Sequence, residues 1–458
     1  MRILFCCEFY SPSVGGIQEM MRQVAERLVA RGHEVTVVTS YLPDRSCWTL
    51  NGVTIKDFQI SGSFVKGMQG DVVSYQQWVI SGKFDLVMIN MAQQWTLDAL
   101  IPVLKDIRCR KLLIPCGFSC LHEPSYAEYY RFMPDVLRQF DHLIFHATDY
   151  RDVRFAKQHG IVNFSIIPNA ASKTEFSADK DISFRHRNGI DSDELLFLTV
   201  GSFTAAKGHL DVAKAYLAAD FQGRSSILLV NASTYSPDQK SSRLELNDHL
   251  TESIQAPSNK NSDYAGESWR QKLHYSRIVK TIGHFLAGHP VPNSPIGFQQ
   301  EFAAVIESIC QQGSKKRVLL VGLPRAQLVQ AYMHADLFVF ASYVECSPVV
   351  LFESAASGTP FLSAQVGNAD EVAQWTGAGV IGPSMIDKNG YTRIDLVPFS
   401  RCWAQLVQDK SRLDDLGRAG KHNWAARFTW ERIALEYERL FQHVCAPEAH
   451  PWQNVSVE

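Results

Sequence analysis

The sequence has no long apolar run. None of its 458 residues falls in a stretch approaching the about 18 needed for a membrane-spanning helix. The opening MRILFCCEFYSPSVGG has no extended apolar core and no small-residue cleavage site, so no secretory signal is expected. Charge of one sign is also missing. Forty-five Lys and Arg against 47 Asp and Glu leave a net charge of -2, which gives no footing for a nucleic-acid partner. The ten cysteines are scattered, with Cys6 and Cys7 adjacent and Cys116 and Cys120 four apart, and no CxxC occurs. That spacing suits reduced thiols in a cytoplasmic protein better than a zinc cage or a disulfide framework. No GxGxxG fingerprint and no short tandem repeat are found. The three Asn-x-Ser triplets at Asn163, Asn231 and Asn454 are read as chance.

What is present is a repeated strand–helix alternation. The apolar run 2–7 is followed by a loop and then by Ile17, Met20, Met21, Val24 and Leu28 at helical spacing. Arg31 and Gly32 close that helix, and the strand pattern VTVVT at 35–39 follows. This is a βαβ unit, which implies a parallel sheet. Further strand patterns lie at 85–90, 111–115, 142–146 and 164–168, then at 195–200, 226–230, 317–321, 337–341 and 360–363. The polar stretch from Asn169 to Asp193 reads as a linker between two such series. Residues 231–300 break the rhythm and read as an insertion, with a weak helical stretch near 269–286. A separate apolar stripe, Trp430, Ile433, Ala434, Tyr437, Leu440, Phe441 and Val444, forms a last helix. Thr429 is its N-cap, and Phe428 and Ile433 stand at staple spacing. The expected architecture is α/β, with two doubly wound Rossmann-like domains (1–180 and 181–427) facing across a cleft and a terminal helix (428–458) packed back on the first.

Three places carry chemistry. Gly15-Gly16 leads into the first helix, where backbone can approach a ligand and free N–H groups can meet an anion. Lys207 lies in VGSFTAAKGH, directly after a strand, and is placed to neutralise a phosphate. The third is ECSPVVLFESAASGTP, from Glu345 to Pro360. Ser347 is an apt N-cap and Pro348 an apt first residue of a helix over Val349–Ser357. Its first-turn N–H groups near Ser347–Val350 suit a diphosphate. Glu345 before the helix and Glu353 on it are carboxylates that suit sugar hydroxyls. A solvent-facing Glu353 is the plain alternative, opposed by its apolar surroundings. Asp191-Ser-Asp193 resembles a metal-binding pair but precedes its strand, so a linker turn is the stronger reading. Lys105, Arg108, Arg110 and Lys111 form a candidate contact for an anionic membrane, but the cluster is short and a solvated helix end is the stronger reading.

Together these pieces resemble the retaining glycosyltransferases of family 4, which have the GT-B fold. The resemblance rests on FYSPSVGGIQEMMRQVAERLVARGHEVTVVTS, IIPNA, VGSFTAAKG, YMHADLFVFASYVECSPVVLFESAASGTP, VGNADEV and FTWERIALEYERL. It implies that Lys207 meets the donor diphosphate, Glu353 the ribose and Glu345 the donor sugar. Gly15 and Gly16 would approach the diphosphate from the opposite domain, and Gly367 and Asn368 would line the cleft. Ser202, Ser347, Pro348 and Val349 complete the implied donor site, with Cys116 and His122 on the acceptor side. Three positions depart from the family: Cys116 stands where a histidine is usual, Ser202 where an arginine is usual, and Cys346 where glycine is common. Arg325, His122 and His209 are candidate replacements. The implied activity is metal-independent, configuration-retaining transfer of a sugar from a nucleotide-sugar to a glycan, lipid-linked or small-molecule acceptor, without a cofactor. A non-catalytic nucleotide-sugar binder and a nucleotide-sugar epimerase are the alternatives.

Overall fold

The computed structural model describes residues 1–43, 45–233, 296–311 and 315–448. Two parallel sheets dominate it. The first has eight strands, running across the sheet as Phe164–Ile166, His142–Phe145, Arg110–Ile114, Leu86–Asn90, Arg2–Cys6, Glu34–Ser40, Val53–Phe58 and Thr49–Leu50. Only Thr49–Leu50 pairs antiparallel. The second has six, ordered Lys316–Val321, Ser226–Ser233, Leu195–Ser202, Leu337–Phe340, Phe361–Ser363 and Gly379–Ile381, all parallel. Both orders reverse direction in mid-sheet, as doubly wound folds do.

Alternation along each strand divides the core into two layers per sheet. Ile3 and Phe5 point to one face, where helix Gly16–Ala30 and the last helix pack. Leu4 and Cys6 point to the other. In the second sheet Leu195 and Phe197 face one layer, and Leu196 and Leu198 the opposite one. Strands covered on both faces must be apolar throughout, which explains why their sequence signal is a continuous run.

The last helix, Trp430–Cys445, lies on the first sheet although the chain before it belongs to the second. Its apolar stripe packs on Met20, Met21, Val24 and Leu28, with the Phe5 and Phe441 rings 6.2 Å apart. Ion pairs Arg27–Glu431 at 2.7 Å and Arg31–Glu438 at 2.5 Å flank that seam. Thr429 caps the helix by accepting from the Arg432 N–H. Phe428 does not form the expected staple with Ile433. It packs into the second core beside Phe352 and Trp375, because the chain crosses between cores at that point. The outgoing and returning strands touch there, with the Ala171 N–H donating to the Phe428 carbonyl and Ala171 bridging Thr429.

Several local expectations are corrected. The stretch read as a polar linker contains short helices Lys173–Phe176 and Phe184–Arg187. Phe176, Phe184 and Ile190 anchor it in the second core, three apolar residues thinly spread in a charged sequence. The break read as starting at 231 begins later, since Asn231 to Ser233 finish a strand, and residues 296–300 belong to helix Ile296–Gln311. The helical stretch read near 269–286 lies outside the described residues. Strand Val53–Phe58 was not read from the sequence, and its buried face alternates with Thr54 and Lys56 exposed. Among the described residues, no helix is long and apolar enough to cross a membrane.

Candidate functional site

The carboxyl ends of both sets of strands face the region where the predicted residues gather. Strand Leu195–Ser202 ends in a loop whose last residue, Lys207, closes a short turn before Gly208. Gly208 sits at φ 68, and a Cβ there would lie 1.8 Å from the Ala341 carbonyl oxygen. Only glycine permits that close approach. The same contact locks the Lys207 loop to the loop after strand Leu337–Phe340, helped by the Tyr343 N–H donating to the Ala206 carbonyl at 2.8 Å. Lys207 Nζ consequently reaches Glu345 Oε1 at 2.6 Å. The Ser342 hydroxyl donates to the same oxygen at 2.8 Å.

Helix Val349–Ser357 follows. Pro348 takes the cap position rather than the first helical turn, and the Ser347 side chain makes no capping bond. The Ser347 hydroxyl is buried without a partner. Because Pro348 has no N–H and Ser347 is not spent on capping, the helix start keeps its first-turn donors. Gly16 begins the facing helix, and a Cβ added to it would lie 3.8 Å from Val349 Cγ2. Gly15 precedes it in extended backbone. Two helix N-termini from opposite sheets therefore meet, each carrying about half a positive charge. Gly367 and Asn368 close the other side. Gly367, at φ 58, lies against the Cys346 carbonyl, and a Cβ there would come within 2.6 Å of it. The Asn368 N–H donates to that carbonyl at 3.0 Å. The Asn368 side-chain amide donates across to the His146 carbonyl at 2.9 Å, leaving its Oδ1 buried and unpartnered.

Glu353 is buried, not solvent-facing. Its Oε1 lies 2.6 Å from Arg325 Nη2. Burial pushes its carboxyl up, and Arg325 pulls it partly back. Arg325 also pairs with Glu175 at 2.7 Å, so this candidate replacement cation is held by two carboxylates beside Glu353. His209 is buried against the backbone of Gly201 and Ser202 and is pushed down to about 4 by burial. It is neutral at physiological pH and packs under the Lys207 loop. His122 is exposed and faces the turn at Gly390, where a Cβ would lie 2.6 Å from its ring. That contact draws it to the rim between sheets, with Tyr391 donating to Glu123 at 2.7 Å nearby. Ser202 is exposed at its strand end. Cys116 follows strand Arg110–Ile114 at φ 60 and meets Cys346 across the cleft.

Other residues build the site without having been singled out. The Asn169 side chain donates to the Ser347 carbonyl at 2.8 Å and fixes the helix start from the first crossing strand. Glu371 accepts from the Thr148 N–H, the Thr148 hydroxyl and the Asp149 N–H at 2.9, 2.8 and 2.9 Å. It thereby joins helix Ala369–Thr376 to the first sheet. Both lie in segments quoted above, IIPNA and VGNADEV, but a lone Asn or Glu gives no sequence signal of a contact across two domains. Asp191 and Asp193 are exposed before strand Leu195–Ser202, at its opposite end from Lys207. A cavity of about 620 Å³ opens at that far end too, beside Leu195, Asp336 and Pro360, and is remote from the helix starts. Within the basic cluster, Arg110 pairs with Asp141 at 2.8 Å.

Comparison with known proteins fits this geometry. The family model described as glycosyl transferases group 1 matches residues 256–388. A D-inositol 3-phosphate glycosyltransferase of Nocardia farcinica is 34% identical over 133 residues, 29% of this chain and 27% of that protein. One of Corynebacterium diphtheriae is 30% identical over 118 residues, 26% of this chain and 25% of that protein. These matches thus span about a quarter of the curated relatives' length. Similarity to solved structures runs the whole length. A sucrose-phosphate synthase of Thermosynechococcus elongatus superposes with TM-score 0.67 at 16% identity, covering 98% of this chain and 100% of that one. HepE of Anabaena, in complex with UDP and glucose, does so with TM-score 0.61 at 14% identity, covering 96% and 99%. The lipopolysaccharide glycosyltransferase WaaG gives TM-score 0.57 at 15% identity over 97% and 100%. The chain has the GT-B fold.

Proposed function

We propose that this chain is a glycosyltransferase that takes a sugar from a nucleoside-diphosphate sugar and retains its anomeric configuration. The observation that carries the reading is the meeting of two helix starts, Gly15–Gly16 and Ser347–Val350, beside Lys207. Free N–H groups and a lysine form a cradle for a diphosphate. Glu353 and Glu345 stand on either side as acceptors for ribose and sugar hydroxyls. A diphosphate flanked by two hydroxyl-bearing groups describes a nucleotide-sugar. The matched group 1 segment supports the same donor class.

In this reading the bond between the anomeric carbon and the diphosphate breaks as the acceptor oxygen attacks from the same face. The acceptor's proton passes to the departing phosphate oxygen, so no separate base is required. Lys207 and the two helix starts meet the charge that develops on the leaving group, and no metal is needed. Electrostatic aid of this kind is worth about 3 kcal/mol per aimed donor. Glu345 and Glu353 position the donor and are not the acid/base pair of a glycosidase. The acceptor, a glycan, a lipid-linked saccharide or a small polyol, would enter from the first sheet, past Cys116 and His122.

Incubating the purified chain with UDP-, GDP-, ADP- and dTDP-sugars tests the reading. Slow release of one nucleoside diphosphate without acceptor is the expected result, and Glu353→Ala should abolish it. A converted sugar with no release would identify an epimerase. Binding with neither outcome would identify a non-catalytic binder.

A further inference from the structure

Cys116 and Cys346 come from opposite sheets and meet at the centre of the cleft. Cys116 follows a strand of the first sheet, and Cys346 precedes helix Val349–Ser357 of the second. Cys116 is the foremost neighbour acting on the Cys346 thiol. A second observation places them independently. A Cβ added to Gly117, the neighbour of Cys116, would lie 2.8 Å from Cys346 Cβ and 3.2 Å from its Sγ. Gly117 sits at φ 87 and its N–H donates to buried Asp152 at 2.7 Å. The backbone that carries Cys116 is thus fixed directly against the Cys346 side chain. Cys346 is buried, whereas Cys116 is half-buried.

We propose that Cys116 and Cys346 are a redox modification site, forming a reversible disulfide that ties the two sheets together across the cleft. The reaction is thiol–disulfide exchange with a low-molecular-weight disulfide. The Cys116 thiolate attacks one sulfur of the oxidant and releases the first reduced thiol. The Cys346 thiolate then displaces the second, so two protein thiols become one disulfide and the oxidant becomes two thiols. The neighbouring Cys116 and burial both hold the Cys346 thiol well above its ordinary range. Cys116 is the less buried of the two, so it meets the oxidant first and Cys346 resolves the mixed disulfide. A disulfide requires sulfurs about 2.05 Å apart, so the link draws the two loops tighter than the reduced contact.

The consequence for ligand follows from what Cys346 touches. Glu345 on one side pairs with Lys207, and Ser347 on the other opens the helix start. The Cys346 carbonyl also holds Asn368. A link at this residue fixes the loops that must part for a diphosphate to enter. This part rests on the donor reading above, whereas the link itself does not.

The test uses the full chain, reduced, freed of reductant and exposed to oxidised glutathione. Peptide mapping under non-reducing conditions should show one link, between the Cys116 and Cys346 peptides. Cys116→Ser and Cys346→Ser should each abolish it, and Cys120→Ser should keep it, which separates Cys116 from its peptide neighbour. UDP affinity should fall about tenfold or more in linked protein, if under a tenth of molecules remain open, and dithiothreitol should restore it. Glutathione adducts alone, or a link confined to other cysteines such as Cys109 and Cys445, would overturn the proposal. Unchanged UDP affinity in linked protein would overturn the blocking of the cleft. Failure of the reduced chain to bind any nucleoside diphosphate would count against the donor reading, with the link still decided by the peptide map.

Discussion

Lys207→Ala separates the energetics of the fold from those of the site. Lys207 Nζ lies 2.6 Å from Glu345, and the two side chains are 30% and 16% exposed. A half-exposed pair of this kind contributes about 0–1 kcal/mol to stability. Removing it should therefore move the melting temperature by no more than about 4 °C. The loss on ligand binding is larger. A charge-assisted bond to a diphosphate contributes about 1.5–3 kcal/mol, so UDP binding measured by calorimetry should weaken roughly 10- to 150-fold. Donor hydrolysis should fall by about 10² to 10³, since charge grows on the leaving group. The substitution also leaves Glu345 unpaired and facing the diphosphate. Lys207→Ala combined with Glu345→Gln should then bind UDP more tightly than Lys207→Ala alone, a coupling that double-mutant cycles resolve above about 0.5 kcal/mol. Wild-type affinity in Lys207→Ala would refute the placement of the diphosphate. Strict additivity in the cycle would refute the exchange of Glu345 for phosphate.

Three further outcomes follow from the same geometry. Gly208→Ala must place a Cβ 1.8 Å from the Ala341 carbonyl at φ 68; it should lower stability by about 1–3 kcal/mol or more, read as a depressed melting temperature, with UDP binding lost even where the chain still folds. Glu371→Ala removes the acceptor for Thr148 and Asp149; amide exchange at 148–149 should quicken, and stability should drop by about 1–3 kcal/mol. The Glu8 carboxyl is raised from 4.5 to about 7 by burial and by Asp98. The folded chain thus holds a proton that the unfolded chain releases between those values, and stability falls as pH rises through that window. Glu8→Gln should melt higher than wild type at pH 8, with the margin gone near pH 4; a constant margin would refute the assignment.

Much of the fold was legible because parallel strands buried on both faces must be continuous apolar runs. Every run singled out in the sequence coincides with a strand. The strands not read are short or lie at or next to a sheet edge: Val53–Phe58 buries one face only, so its alternating VTIKDF reads as an ordinary surface segment, and Thr49–Leu50, Gly379–Ile381 and the two small hairpins are only two or three residues per strand. The pieces of the site were legible for a related reason. A glycine pair before a helix, a lysine after a strand and a glutamate in an apolar helix each break a local rule, and a broken local rule marks a place where tertiary contacts dominate. What could not be read was which pieces touch. Phe428 was paired with Ile433 by spacing, yet the two belong to different cores. Residue type alone makes His122 and His209 candidates to replace a missing cation. One is drawn to the rim by the Gly390 turn and the other is kept neutral by burial. Arg325 was placed with them, and its position is decided by Glu175, in a segment read as linker.

The charges around these residues bear on how such departures would coexist with the proposed diphosphate cradle. Lys207 is paired with Glu345, and Arg325 with Glu353 and Glu175. Two cations therefore face three carboxylates, and the two helix starts add about one positive charge between them. The site is close to neutral before a ligand enters. A diphosphate cannot gain net attraction from a cation that a carboxylate already holds, unless it displaces that carboxylate. Of the three carboxylates, Glu353 is buried and bound to a guanidinium that Glu175 also holds. Glu345 is more exposed than Glu353, lies in a loop rather than on a helix, and has a hydroxyl, Ser342, as its other partner. It is the group that can turn away. The lost arginine at Ser202 then matters less than the mobility of the loop from Ser342 to Ser347. That loop is pinned on one side by Gly208 and on the other by Asn368, with Cys346 at its centre. On the proposed donor reading, residues that hold this loop, more than any additional cation, would set the affinity of the site for a diphosphate.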